Sequence, residues 1–337
     1  MTTTNESPRA FQLPAREIPI PRSVSPEAQA MLALGPITPE MDWPPLDDLE
    51  AWRKKIAEMN AAVQAMVSNT ASAVGESRGD QEQTSTEEIT VAGVPLFVIT
   101  PSGVDPNDRH VILDIHGGGF VLGGGPVCRW AAAAMAPARG ACMWAPDFRM
   151  PPDDPFPAGL DDCVAVYEAL LEERSAEEII VSGVSAGGNM AAALLLRIHA
   201  AGLPMPAALV LDTPAVDLTA SSDSWITNLG LDTVLTGTSS LAAVDLYRGN
   251  RDLRDPYISP VFGDLSGFPP TILTTGTRDR LLSDTVRMHR ALRAAGVDAE
   301  LHVWEAAGHG MFLGTAPEDA DKAREIRRFL DEHWEAK

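Results

Sequence analysis

The chain has 337 residues, 45% of them hydrophobic and 22% charged, enough for one large α/β domain with an attached lid or for two small domains. Its formal net charge of -21 sets it against nucleic-acid backbones and anionic membranes, so neither is expected as a partner. The opening Met-Thr-Thr-Thr-Asn-Glu-Ser-Pro has no basic n-region or apolar run, and no stretch is apolar enough to span a bilayer, so a cytoplasmic protein is expected.

Residues 1–40 are rich in Pro, Thr and Ser and read as a loose arm with a short helix near Pro26–Leu34. Leu49, Trp52, Ile56, Met59, Val63 and Met66 recur in steps of three and four, the pattern of a helix with one apolar face. Ser68 to Glu87, with Gly75 and Gly79, reads as a polar linker. Ile89–Val91 and Val94–Thr100 around Ala92-Gly93 predict a hairpin. Strands and helices then alternate. Strands are expected at Val111–Ile115, Ala141–Ala145, Ile179–Ser182, Ala207–Leu211, Thr271–Thr275 and Leu301–Trp304. Helices are expected at Arg129–Ala138, Leu160–Leu171, from the fifth strand to Ala201, at Thr285–Ala295 and at Pro317–Trp334. That alternation means a mostly parallel sheet covered on both faces. Between Leu211 and Thr271 only one helix is evident, around Ser239–Tyr247, and so long a connection suggests a lid or insertion. Cys128, Cys142 and Cys163 lack metal-ligand spacing and read as reduced thiols.

Two glycine-rich turns carry chemistry. Gly183-Val184-Ser185-Ala186-Gly187 stands between a strand and an Ala/Leu-rich helix, the setting of a nucleophile elbow. A serine on so tight a turn needs small neighbours, because the helix passes close to the strand end. His116-Gly117-Gly118-Gly119-Phe120 follows the strand Val111–Ile115. Its glycines let backbone N–H groups approach a carbonyl oxygen that gains charge in a transition state.

A serine hydroxyl is a poor nucleophile until a base takes its proton. His116 belongs to the glycine loop and is read as a brace. Of the seven histidines, only His309, in Gly308-His309-Gly310 after a strand, sits where a loop could carry an imidazole over the strand ends. The orienting acid should fall between serine and histidine in chain order, just beyond a strand. Asp279 fits; Asp284 is the rival, although with Ser283 it resembles the capped start of the next helix.

Taken with Asp147-Phe148-Arg149, Pro155-Phe156-Pro157-Ala158 and Ser185-Ala186-Gly187-Gly188-Asn189, these stretches resemble the hormone-sensitive-lipase-like esterases, bacterial esterase family IV. The resemblance spans about residues 85–335. It implies an α/β-hydrolase fold with a mostly parallel sheet of about eight strands, flanked by helices and topped by a helical cap. It further implies an oxyanion hole from the N–H groups of Gly118, Gly119 and Ala186, small-molecule ester substrates, no metal or cofactor, and a homodimer as a common assembly. Two positions depart from the family pattern. Val184 replaces the frequent acid before the nucleophile, and Asp279-Arg280-Leu281 stands where members often read Asp-Pro-Leu.

The expected layout is therefore an arm and cap helices over 1–84 and a catalytic domain over 85–337, with a cap insertion at about 214–255. Phe120 and, in the insertion, Trp225, Leu229 and Val234 are candidate pocket walls, with Leu231 and Leu235 in the same apolar set. A lactonase or amidase could use the same three groups. A non-catalytic ligand receptor on this fold would typically lack one of them.

Overall fold

The computed structural model describes residues 14–38, 42–75, 84–237 and 240–335, with backbone alone at 66–75, 240 and 335. One eight-stranded sheet runs through the chain in the order β1-β2-β4-β3-β5-β6-β7-β8. β1 (Ser85–Val91) and β2 (Val94–Thr100) form the hairpin about Ala92-Gly93, both with positive φ, and β2 pairs antiparallel with β4 (Cys142–Pro146). Every other pairing is parallel and joins β3 (Val111–Ile115), β4, β5 (Ile179–Val184), β6 (Ala208–Asp212), β7 (Thr271–Gly276) and β8 (Ala299–Trp304). β3, β6 and β7 are buried at every position, as strands covered on both faces must be.

Alternate residues of these strands feed two cores. Ile112, Met143, Ile180, Val210 and Ile272 meet α3 (Pro126–Arg139) and α9 (Pro317–Glu335) through Cys128, Ala132, Ala136, Ile326, Phe329 and Leu330. Leu113, Val181, Leu209, Leu211 and Leu273 point the other way, to α4 (Ala158–Glu173), α5 (Ala186–Ala200) and α8 (Leu282–Ala294). α3 begins earlier than its Ala-rich run suggests, since Pro126 is pre-set for the first helical turn. β1 also begins early, at Ser85, because a mostly exposed strand shows no apolar alternation. Cys128 and Cys163 are buried and Cys142 half-buried, all three unpaired, and burial raises each thiol's pKa.

The amino-terminal region departs from the sequence reading. The short helix expected near Pro26–Leu34 is present, but it is packed against the body rather than carried on a loose arm. Ser25 caps α1 (Pro26–Ala33), accepting from the Ala28 N–H at 3.1 Å while its hydroxyl donates to Glu318 of α9 at 2.8 Å. Val24 and Ala28 pack with Ala306, Ala307, Met311, Phe312 and Ala316, on both sides of His309 in sequence. α2 (Leu49–Gly75) continues through Ser68–Gly75, which reads as linker by polarity although its alanines favour helix. Gly79 and the Met66 side chain lie outside the described residues. Trp52 of α2 is buried against Trp43, Val121, Ala243 and Leu246, whereas Leu49, expected on the same buried stripe, is exposed. The long connection after β6 holds two helices, α6 (Ser224–Thr227) and α7 (Ser240–Arg248). Among the described residues no helix is long and apolar enough to cross a membrane.

Candidate active site

Ser185 stands between β5 and α5 with φ 56° and ψ −119°, the strained backbone of a sharp strand-to-helix turn. The flanking glycines are steric necessities. A Cβ at Gly183 would sit 2.3 Å from the Gly187 carbonyl oxygen, and one at Gly187 would sit 1.9 Å from that of Ile115. The turn is pinned to β6 by the Ser185 N–H, which donates to Asp212 O at 3.0 Å. Val184 is half-buried and sits beside the glycine loop: a Cβ on Gly117 would lie 3.3 Å from Val184 Cγ1. Polar bracing near the elbow comes from β6 instead, where Asp212 accepts from Thr274 at 2.7 Å and from Lys322 at 2.6 Å.

The loop after β8 brings His309 Nε2 to 2.9 Å from Ser185 Oγ, and Nδ1 faces Asp279 Oδ1 at 3.3 Å. Asp279 follows β7 and is fully buried. Its Oδ2 accepts from Thr275 Oγ1 at 2.9 Å and from Thr213 Oγ1, and its Oδ1 accepts from the Leu281 N–H at 2.8 Å. Thr213 Oγ1 is also 3.0 Å from His309 Nδ1, so this hydroxyl touches both members of the pair. Burial alone would raise the Asp279 pKa, but His309 and these donors hold it below the usual carboxylate value. Burial likewise opposes charge on His309, yet Asp279, with Asp232 and Asp212 further off, lifts the imidazole above its ordinary pKa.

Asp284 does not reach His309. It lies within the first turn of α8, accepting from Ser222 Oγ at 2.7 Å and from the Asp217 N–H at 3.1 Å, so it is not the side-chain cap suggested by sequence. Burial pushes its carboxyl up to about 7.

The glycine loop lies across the elbow. Gly118 (φ 120°) accepts from the N–H groups of Val121 and Leu122, and a Cβ there would fall 2.1 Å from Leu122 O. Among the described residues the N–H groups of Gly118 and Gly119 donate to no protein acceptor. His116 is a brace: Nδ1 donates to Gly117 O at 2.7 Å, the ring stacks on Phe148 at 4.2 Å, and burial lowers its pKa.

Ser185, Gly119 and Ala186 open into a cleft of about 520 Å³, in part open solvent, walled by Phe120, Leu218, Trp225, Leu235, Leu241 and Val244 and by Asp217 and Asp284. Phe120 and Trp225, expected as walls, are there. Leu229 and Val234 are not: Leu229 is 42% exposed beyond α6, and Val234 is half-buried with its N–H donated to Asp232. Leu235, from the same apolar set of the insertion, is in the wall as expected, whereas Leu231 is not.

Sequence reasoning also passed over Thr213, Thr275 and Asp232. Asp232 is buried, and its carboxylate accepts the N–H groups of Val234 (2.9 Å), Leu235 (3.0 Å), Arg280 (3.0 Å) and His309 (3.3 Å). It thereby joins the insertion, the loop after β7 and the loop after β8. The only local signal was an acidic residue two positions before an apolar pair, the pattern of an Asx turn. Among the described residues no group of three or more His, Cys, Asp or Glu side chains is arranged to hold a metal ion.

Residues 112–313 match the profile of an α/β-hydrolase-fold family. An acetyl-hydrolase of Streptomyces hygroscopicus is 33% identical over 203 residues, 60% of this chain and 68% of that protein. Among solved structures, esterase E25 superposes with a TM-score of 0.87 at 35% identity, covering 96% of this chain and 99% of the other. An esterase described as from the bacterial hormone-sensitive lipase family gives 0.76 at 30% identity, covering 92% and 99%.

Proposed function

Because the chain belongs to the α/β-hydrolase fold family, among its hormone-sensitive-lipase-like (bacterial family IV) members, we propose that it is a serine carboxylesterase acting on short- to medium-chain esters. In this reading Ser185 Oγ attacks the ester carbonyl while its proton passes to His309 Nε2, and Asp279 stabilises the resulting imidazolium. The N–H groups of Gly118, Gly119 and Ala186 receive the charge that grows on the carbonyl oxygen. His309 then gives its proton to the departing alkoxide, which leaves the acyl group on Ser185. A water molecule follows the same route in reverse order: His309 takes its proton, the oxygen attacks the acyl carbon, and Ser185 recovers its proton as the acid departs. The observation that carries this reading is the 2.9 Å contact between His309 Nε2 and Ser185 Oγ on a turn too strained to persist without a function.

The cap belongs to the same proposal. α2 and the insertion at about 214–255 cover the cleft, a reading supported by Trp52 against Val121, Ala243 and Leu246, by Asn60 Oδ1 accepting the Gly123 N–H at 3.2 Å, and by Trp225 and Leu235 in the cleft wall. A wall of finite depth predicts a size optimum. Each buried acyl methylene contributes up to about 0.8 kcal/mol until the cleft is full.

Initial rates on p-nitrophenyl esters of increasing acyl length test both parts. We expect kcat/KM to rise from acetyl to an optimum between butanoyl and octanoyl and to fall by dodecanoyl. Ser185→Ala should fold normally by circular dichroism and lose about 10⁶-fold in kcat. Substantial activity in Ser185→Ala, or rates that climb through palmitoyl esters, would contradict the proposal.

A further inference from the structure

The acid-loop departure Asp279-Arg280-Leu281 acquires a physical meaning in the fold. Arg280 is fully buried, and its guanidinium lies within 4.0 Å of no carboxylate among the described residues. It spends its donors on peptide carbonyls of the insertion. Nε and Nη2 donate to Trp225 O at 3.1 and 2.9 Å, and Nη1 donates to Leu235 O at 3.3 Å and to Gly237 O. The guanidinium carbon also stands 4.1 Å from the centre of the Trp225 ring. Burial lowers its pKa from that of a free arginine, and the nearby Asp232 opposes the change.

Two of the residues gripped this way, Trp225 and Leu235, are walls of the cleft. The described residues from 213 to 237 around them are irregular: one short helix, turns, and no strand to supply a ladder of hydrogen bonds. A fork of planar donors substitutes for that ladder, because it fixes several carbonyls in one plane at once. The backbone of the same residue is tied at both ends, its N–H to Asp232 at 3.0 Å and its carbonyl to Ser224 Oγ at 2.8 Å. We propose that Arg280 is the specificity-determining positioning residue of this protein: it sets where Trp225 and Leu235 stand, and so how long an acyl chain the cleft accepts. The inference rests on the carboxylesterase reading above.

Arg280→Met keeps the apolar stem and removes every donor; Arg280→Lys keeps the charge but not the fork. For both, kcat and KM are measured on acetyl, butanoyl, hexanoyl and octanoyl p-nitrophenyl esters, together with the acid limb of kcat/KM. The expected result is a flattened length profile. KM for the optimal ester should rise about ten-fold, that for the acetyl ester by less than about three-fold, and the acid limb should stay in place, because a displaced wall removes binding that the short chain never used. In a Leu235→Ala background, Arg280→Lys should change the profile less than it does alone, since the two act on one wall. If Arg280→Met does not fold, Arg280→Lys and its double variant decide the matter. An unchanged length profile, or an equal loss on every ester with a shifted acid limb, overturns the inference while leaving the esterase reading intact. A parent protein that hydrolyses none of these esters removes both.

Discussion

Asp279 and Asp284 are both buried and flank the start of α8, yet their surroundings differ in a way that can be measured. Asp279 faces His309 and is held ionised; Asp284 bonds Ser222 and the Asp217 N–H at the edge of the cleft, with the Asp217 carboxylate and Arg287 nearby, and burial pushes its pKa up to about 7. Asp279→Asn should therefore cost about 10⁴ in kcat, whereas Asp284→Asn should cost a few-fold at most. Because His309 is held above its ordinary value of 6.5, kcat/KM in the parent should fall as pH drops through an apparent pKa above 6.5, and Asp279→Asn should move that limb down. Stability has the opposite logic at Asp284. Its folded pKa lies above that of an ordinary carboxyl, so the folded protein is favoured at low pH and loses that contribution as pH rises through about 7. Thermal unfolding of Asp284→Asn relative to parent should accordingly look better at pH 8 than at pH 4, and the reverse order would contradict the assignment. Ser185, His309 and the loop glycines could be read from sequence because backbone sterics permit few residues in such turns. Thr213 and Asp232 could not, since each meets its partners from a segment remote in sequence and the chain offers many threonines and aspartates.

Elements with strong periodicity or uninterrupted apolar runs were legible within a few residues, as β3, β5 and β7 illustrate. The amino-terminal arm was not, because its stabilisation comes from a partner far along the chain. Ser25 bonds Glu318, and α1 fills a hollow made by Ala306, Ala307, Met311 and Phe312 around the base loop. Local composition carries no trace of that hollow. Ser25→Ala removes the cap of α1 and the hydroxyl's bond to Glu318 while the backbone N–H bond to Glu318 remains, and it should lower stability by about 1 kcal/mol. Urea unfolding checks the figure. A neutral result would mean that apolar packing and the Ser25 N–H bond to Glu318 hold α1 in place without the hydroxyl. The same distinction applies to the cleft wall: the insertion's apolar residues were legible as a group, but in an irregular segment no period tells Val234 from Leu235, and the outcome is decided by which of them the Asp232 and Arg280 bonds turn inward.

At the scale of the molecule, one sheet gathers the chemistry at one edge. Parallel β3, β5, β7 and β8 all end there, and the loops that follow them carry the glycine turn, Ser185, Asp279 and His309 in turn. Two amino-terminal pieces then divide the space above: α1 packs against the base loop, and α2 meets the glycine loop and α7. The succession of strands and helices along the chain and the fold class were legible in alternating pattern and motif, whereas the strand order in the sheet and this division depended on tertiary contacts. The central claim is that all the chemistry passes through Ser185. The most direct measurement is intact and peptide mass spectrometry after treatment with diethyl p-nitrophenyl phosphate, which transfers its phosphoryl group to an activated serine and stays there. One diethyl phosphate per chain is expected, located on Ser185, appearing in step with loss of ester hydrolysis and absent from Ser185→Ala. Label on a different residue, or hydrolysis that survives full labelling of Ser185, would contradict it.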